Sequence, residues 1–261
     1  KFYITPEDEK IVRECAEYWN GKTVYDYVRK NLPEEINAAW DAGVTDETWV
    51  CGAGLGNEIP DYKLVVEKGL EDVMARIQAK IDSLDMLAPD SVKKRHFLDA
   101  AMIGNQAVVK FAKRIGDKCK EEAEKCQDPV YRQELMELSE VCGNVPLHPA
   151  KTFQEAVESI FIILLAVHLE SNGHAISLGR FDQYVYPLYK KDIEEGRITK
   201  ERALEILECF FIKCNEINKL RSWPDTEFFM GYQMFINMAV CGQTVDGRDA
   251  TNDVSLLCIQ A

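Results

Sequence analysis

The stretch that decides the fold is Ser171 to Tyr184, SNGHAISLGRFDQY. It follows a run at 153–169 whose second half is apolar on most sides, which predicts a central, buried helix. Thr152 and Glu155 have the spacing of a capping box at that helix's start. The stretch itself is polar and glycine-bearing, and it holds His174, one of four histidines in the chain, between Gly173 and Ala175. A buried helix that gives way abruptly to such a segment delivers polar groups to the edge of a cavity. On spacing alone a lone histidine is more often structural than catalytic. A buried neutral imidazole can still orient a substrate hydroxyl or carboxylate, or move a proton near neutral pH. Arg180 and Asp182 read as an ion pair that fixes the loop after this segment. His168, at the end of the apolar run, reads as a helix-end or core histidine.

Helical patterning dominates on both sides. Residues 6–19 carry acidic groups in the first turn and an apolar face through Ile11, Val12, Cys15 and Tyr18, and stop at Asn20-Gly21. Residues 23–30 and 33–42 read as two short helices, the second opened by Pro33 with Glu34 and Glu35. Longer helices are expected at 64–84, at 92–125 with Asp90 or Ser91 as cap, at 129–141 and at 199–219, with another at 252–261. Strand signals are few, at 175–178 and near 234–240. Residues 48–60 break the pattern with Gly52, Gly54 and Gly56, a loop whose backbone can close on a ligand. A dinucleotide-binding reading of these glycines is disfavoured. Asn57 stands where the fingerprint needs glycine or alanine, and helices rather than a strand precede it. The aromatic run 228–232 contains Met230, Gly231 and Tyr232. Most such aromatics are core, although a tyrosine beside glycine can present its hydroxyl to a ligand.

Composition narrows the function classes. The 261 residues carry a formal net charge of −13, which argues against nucleic acid as a partner. The longest apolar run, 160–167, is far too short to cross a bilayer. Residues 1–20 are charged throughout and show no signal-peptide pattern, and Lys1 reads as a cut or an incomplete start. Nine cysteines without a CxxC pair read as reduced thiols in a reducing cytoplasm. No histidine takes ligand spacing with a cysteine, so zinc is not expected.

Extended to SNGHAISLGRFDQYVYPLY, the central stretch closely resembles the pyruvate-formate-lyase-like domain of glycyl radical enzymes. The similarity is to the branch holding glycerol, propanediol and hydroxyproline dehydratases, choline trimethylamine-lyase and isethionate lyase. Other elements agree in order: Trp19 with Asn20-Gly21-Lys22-Thr23, then Gly56-Asn57 with Pro60-Asp61-Tyr62, then Phe97-Leu98-Asp99-Ala100. The last is Cys241-Gly242-Gln243-Thr244 followed by Gly247 and Asp249-Ala250-Thr251-Asn252. The resemblance implies a chain that is mainly α here and forms part of a ten-stranded α/β barrel. It implies a protein-derived glycyl radical in the full-length enzyme, installed by a radical S-adenosylmethionine activating enzyme, with no other cofactor bound. A cysteine thiyl then takes hydrogen from a small-molecule substrate. It implies a cytoplasmic homodimer in an anaerobe. No G-C-V/I-E motif and no R-V-x-G-Y motif occurs in the chain. Cys15 with Glu17 and Cys119 with Glu121 have the right spacing but no preceding glycine. The expectation is therefore that residues 1–261 are the N-terminal and central portion of one such domain, holding no catalytic residue and inactive alone.

The resemblance also implies substrate contacts. Where the glycerol dehydratase pattern has a histidine after glycine, this chain has Asn57; its later histidine is His174 and its serine is Ala175. Its tyrosine matches Tyr232, and Met230 lies beside it. Gly52 and Ala53 stand where isethionate lyases place an arginine. The expected function is a dehydratase eliminating water from a small polar metabolite. The alternatives are an arylacetate-type decarboxylase or a C–N or C–S lyase of the same superfamily, and a non-catalytic scaffold derived from the fold.

Overall fold

The computed structural model describes residues 3–45, 56–171, 173–219 and 234–261. The chain divides into two units, residues 1–56 with 171–173, and residues 57–170 with 174–261. In the first unit lie helices α1 (Pro6–Trp19), α2 (Val24–Asn31) and α3 (Glu34–Asp41). Thr5 caps α1 through the Asp8 amide, and Thr23 and Asp26 form a reciprocal capping box on α2. Gly21, at φ 73°, turns the chain between them. The Asn20–Thr23 motif is thus a helix stop followed by a helix start. Arg29 lies over the Trp40 ring at 4.7 Å and pairs with Asp41, tying α2 to α3.

The second unit holds α4 (Tyr62–Asp82), α5 (Ser91–Lys125), α6 (Pro129–Asn144), α7 (Phe153–Glu170), β1 (Gly179–Arg180), α8 (Phe181–Glu194), α9 (Lys200–Asn215), β2 (Met238–Ala239) and α10 (Asp253–Gln260). The central helix is α7, as its apolar run predicts. Phe153, Ala156, Ile160, Ile162 and Leu164 are all at most 1% exposed. Each large side chain so buried contributes about 2 kcal/mol. One side of α7 meets Tyr62 and Val66 of α4, Phe181 and Val185 of α8 and Leu207 of α9. Ile162 meets a smaller cluster with Ala112 of α5 and Cys142 of α6. The start of α7 differs from the expected capping box. Thr152 accepts the Glu155 amide, but Glu155 accepts from Lys151, and the Phe153 amide goes to Asp192 of α8 at 2.7 Å. At α5 the expected side-chain cap is absent. Asp90 makes no cap bond, and the Ser91 hydroxyl donates to the Asp85 carbonyl.

Helix α4 is interrupted at Gly69, where φ is 72° and ψ 166°. The break lets residues 146–150 lie against it, with the Leu70 amide on Pro146 O (2.8 Å) and the Ala150 amide on Val66 O (2.9 Å). A Cβ at position 69 would stand 2.3 Å from the Leu147 oxygen.

Helix α8 is the element the periodicity did not announce. Pro187 sits inside it, and three tyrosines and Val185 weaken its helical propensity. Burial of Phe181, Val185 and Tyr189, spaced i, i+4, i+8, holds it helical. The expected Arg180–Asp182 ion pair does not form. Arg180 instead donates to the carbonyls of Cys241 (2.8 Å) and Gln243 (2.9 Å). Fully buried Asp182 accepts the Cys241 amide at 2.7 Å and the Ser255 hydroxyl. Gln183 reaches Ala250 O at 2.9 Å. These three neighbours clamp the turn at 241–250 and the start of α10, which Asn252 caps with a box to Ser255. No described helix is long and apolar enough to cross a membrane.

Candidate functional site

Three extended segments run side by side in the second unit. Residue 58 bridges Ile176 in parallel, and β1 pairs with β2 in parallel through Gly179–Met238 and Arg180–Ala239. The middle segment is the one quoted first above. Its hydrogen bonds step outward on both sides: Ser177 N to Glu58 O at 2.8 Å, Leu178 N to Asn237 O at 2.8 Å. Alternation sets the faces. Ile176, Leu178, Met234 and Ile236 are buried in the core under the helices. Ser177 is half-buried and Asn237 and Ala239 are exposed, so part of each segment looks away from that core.

Asn57, His174 and Ala175 gather at the start of these segments. The Asn57 amide donates to the His174 carbonyl at 2.9 Å, and the Ala175 amide donates to the Met234 carbonyl at 2.7 Å. Sequence reasoning placed these residues together, and the backbone pairing brings them together. Asn57 is exposed, His174 half-buried, and Ala175 buried at 8% exposure. Three non-glycine residues here are left-handed: Asn57 at φ 57°, Ala175 at 57° and Phe235 at 52°. Such backbone costs on the order of 1–2 kcal/mol per residue outside glycine and clusters at functional sites.

Phe235 is the residue that sequence reasoning missed. Its ring lies edge-on to the His174 imidazole, centroids 5.9 Å apart at 66°. Asn237 Nδ2 donates to the Phe235 carbonyl at 3.0 Å and holds the turn. In sequence Phe235 is one apolar residue in an apolar run. The one available signal is Asn237 two residues on, a residue type that bonds to nearby backbone. Tyr232 and Met230, with Gly52 and Ala53, lie outside the described residues.

The family motif around Pro60-Asp61-Tyr62 proves largely structural. Asp61 caps α4 through the Leu64 amide at 3.0 Å. Tyr62 is 1% exposed and stacks on Tyr184 at 6.5 Å, and burial pushes both phenols well above their ordinary range. Tyr184 donates to the Leu178 carbonyl at 2.8 Å and so braces the middle segment. His168 is a core histidine, 6% exposed, with neither ring nitrogen hydrogen-bonded. Burial first, and the charge of Lys219 second, push its pKa down to about 4. Among the described residues no group of three or more His, Cys, Asp or Glu could hold a metal ion.

The site therefore offers a hydrogen-bonding amide, an imidazole held by an aromatic edge, and a small apolar side chain. That set can bind and orient a small polar molecule. Among the described residues it contains no paired nucleophile and base.

The chain as a whole is similar to known proteins. Isethionate sulfite-lyase of Bilophila wadsworthia is 37% identical over 273 residues, taking in 99% of this chain and 32% of that protein. A solved structure of 1,2-propanediol dehydration in Roseburia inulinivorans superposes at a TM-score of 0.93 with 39% identity, over 99% of this chain and 31% of that one. The glycerol-bound B12-independent glycerol dehydratase from Clostridium butyricum gives 0.91 and 34%, over 99% and 33%. The chain thus spans about a third of the length of these relatives. The family model described as pyruvate formate lyase-like matches residues 1–261, and the chain belongs to that family.

Proposed function

We propose that the whole protein is a glycyl radical dehydratase that removes water from a small vicinal diol or similar polar metabolite. This chain contributes one wall of its pocket. The observation that carries the reading is the backbone pairing of Asn57 with His174, beside left-handed Ala175. It supports a reading in which the Asn57 side-chain amide and the His174 imidazole meet two adjacent hydroxyls. The 39% identity to the propanediol-dehydrating structure supports it. In the reaction a cysteine thiyl would take a hydrogen atom from one carbon. The hydroxyl on the neighbouring carbon would leave as water with the proton of the first carbon's hydroxyl, and the thiol would return the hydrogen atom to that neighbour, giving a carbonyl product. The radical cysteine and glycine belong to the rest of the domain, because neither motif occurs in these 261 residues. The three parallel segments are read as the first staves of a barrel that the rest of the domain closes. A radical S-adenosylmethionine enzyme would install the radical, and the working unit would be a cytoplasmic homodimer.

Asn57 and Ala175 differ from the glycerol pattern, so glycerol itself is not the favoured substrate. A site lacking one hydrogen-bonding group discriminates strongly against the substrate that needs it. A C–S lyase is the second reading, favoured by the 37% identity to isethionate sulfite-lyase. Full-length protein, activated anaerobically, separates the two. The expected result is a glycyl doublet in electron paramagnetic resonance and carbonyl product from a diol panel. Sulfite from isethionate, with no diol turnover, would establish the second reading instead. Asn57→Ala and His174→Ala should each lower kcat/KM by about tenfold or more. Near-normal turnover in both would remove these residues from the site.

A further inference from the structure

Ile59 stands two residues beyond Asn57 on the first of the three extended segments. It is 64% exposed, so its side chain stands off the helical core that takes Ile176 and Leu178. Residue 58, between them, is the one that bridges Ile176, so Asn57 and Ile59 flank it on one side of the segment. A glycine makes room for the isoleucine. A Cβ on Gly179 of the middle segment would lie 3.1 Å from Ile59 Cγ2, tighter than side chains normally pack. Gly179 also has φ 63°, a conformation that disfavours any side chain. The Ile59 branch therefore rests across the middle segment where a larger residue would push it away. Exposed Ala239 on the third segment adds a second small apolar group.

Charge on these segments points the same way. Among their described residues the carboxylate is Glu58 and the guanidinium is Arg180. Arg180 is already committed to the carbonyls of Cys241 and Gln243. An anionic tail on the substrate would find no free cation here, and the apolar branch would strip its water without return. An alkyl tail instead gains about fourfold in binding for each methylene covered.

We propose that Ile59, seated over Gly179, is a specificity-determining residue. It receives the end of the substrate that does not react and selects an uncharged diol with a short alkyl tail. The inference rests on the dehydratase reading above and narrows it.

The test uses full-length protein, activated anaerobically, with 1,2-butanediol, glycerol and glycerate. These carry an ethyl, a hydroxymethyl and a carboxylate group on the same diol. The wild type should favour butanediol over glycerol in kcat/KM by about tenfold or more, and glycerate should give no product. Ile59→Thr keeps the branch but makes it polar, and should bring the butanediol-to-glycerol ratio close to one. Ile59→Ala should lower kcat/KM for butanediol by about tenfold, chiefly through KM. A glycyl doublet of wild-type size shows that each variant is folded and activated, and the wild-type ratio alone decides where a variant gives none. A wild type that accepts glycerate, or uses glycerol as well as butanediol, overturns the role of Ile59 and leaves the dehydratase reading standing. An unchanged ratio in both variants does the same. No turnover of any of the three by activated wild type overturns both.

Discussion

Phe235 acts through a ring edge and Gly69 through a missing side chain, and both can be tested alone. The Phe235 edge limits how far the His174 imidazole can swing. Its left-handed backbone is held by Asn237, so the contact is built rather than incidental. If His174 binds substrate, Phe235→Leu in the full enzyme should raise KM by about tenfold and leave kcat within about threefold, because it loosens a binding group. Phe235→Tyr should restore KM. Equal KM for wild type and Phe235→Leu would leave the ring with a packing role only. Gly69 makes a steric demand. Its φ and ψ belong to glycine, and a Cβ would strike the Leu147 carbonyl and the His148 backbone. Gly69→Ala should cost about 3 kcal/mol or more, read as a lower urea midpoint at an unchanged slope.

At the scale of elements, α8 organises its surroundings through two buried carboxylates at its two ends. Asp182 holds the 241 turn and Ser255, while Asp192 holds the first turn of α7 and accepts from Arg197 at 2.6 and 2.8 Å. Asp182→Ala leaves a buried amide and hydroxyl without their acceptor, a loss of about 3 kcal/mol. Its signature in hydrogen exchange should be early release of the Cys241 and α10 amides while those of α7 stay protected; uniform loss of protection would rule out a local clamp. None of this was legible in the sequence. The i, i+3, i+4 spacing gave α1, α5 and α7 within a residue or two, because each buries one apolar face. It missed α8, because Pro187 and the tyrosines weaken the local signal and only neighbours supplied by tertiary packing restore it. The family motifs single out Asn57 and His174, and the backbones of these two residues are hydrogen-bonded to each other. They could not show that Arg180 and Asp182 turn away from each other to separate groups at 241–243 and 255, since opposite charges two residues apart resemble a pair whichever way they point. Phe235 stayed hidden because an aromatic in an apolar run carries no mark of its ring's direction.

Over the whole second unit, two buried titratable groups oppose each other in acid, and their balance is measurable. His168 has its folded pKa pushed down to about 4 from 6.5 by burial and by Lys219. Its contribution to stability is complete above 6.5 and is lost as pH falls toward 4. Glu158 is raised from 4.5 to about 7 by burial, which outweighs Lys213 and the Cys142 contact. Its contribution is complete below 4.5 and is lost as pH rises toward 7. The windows overlap between 4.5 and 6.5 with opposite slopes, so this pair leaves wild-type stability nearly level there. Removing one group should expose the other. Glu158→Gln should make Tm climb from pH 4 to 6.5, and its advantage over the wild type should appear only as pH rises above 4.5. His168→Leu, which also removes two buried nitrogens without partners, should make Tm fall from pH 4.5 to 7. Thermal unfolding of the three proteins between pH 4 and 8 decides the matter. Diverging curves on either side of a level wild type are expected, and three parallel curves would mean that neither group is held as the packing around α7 requires.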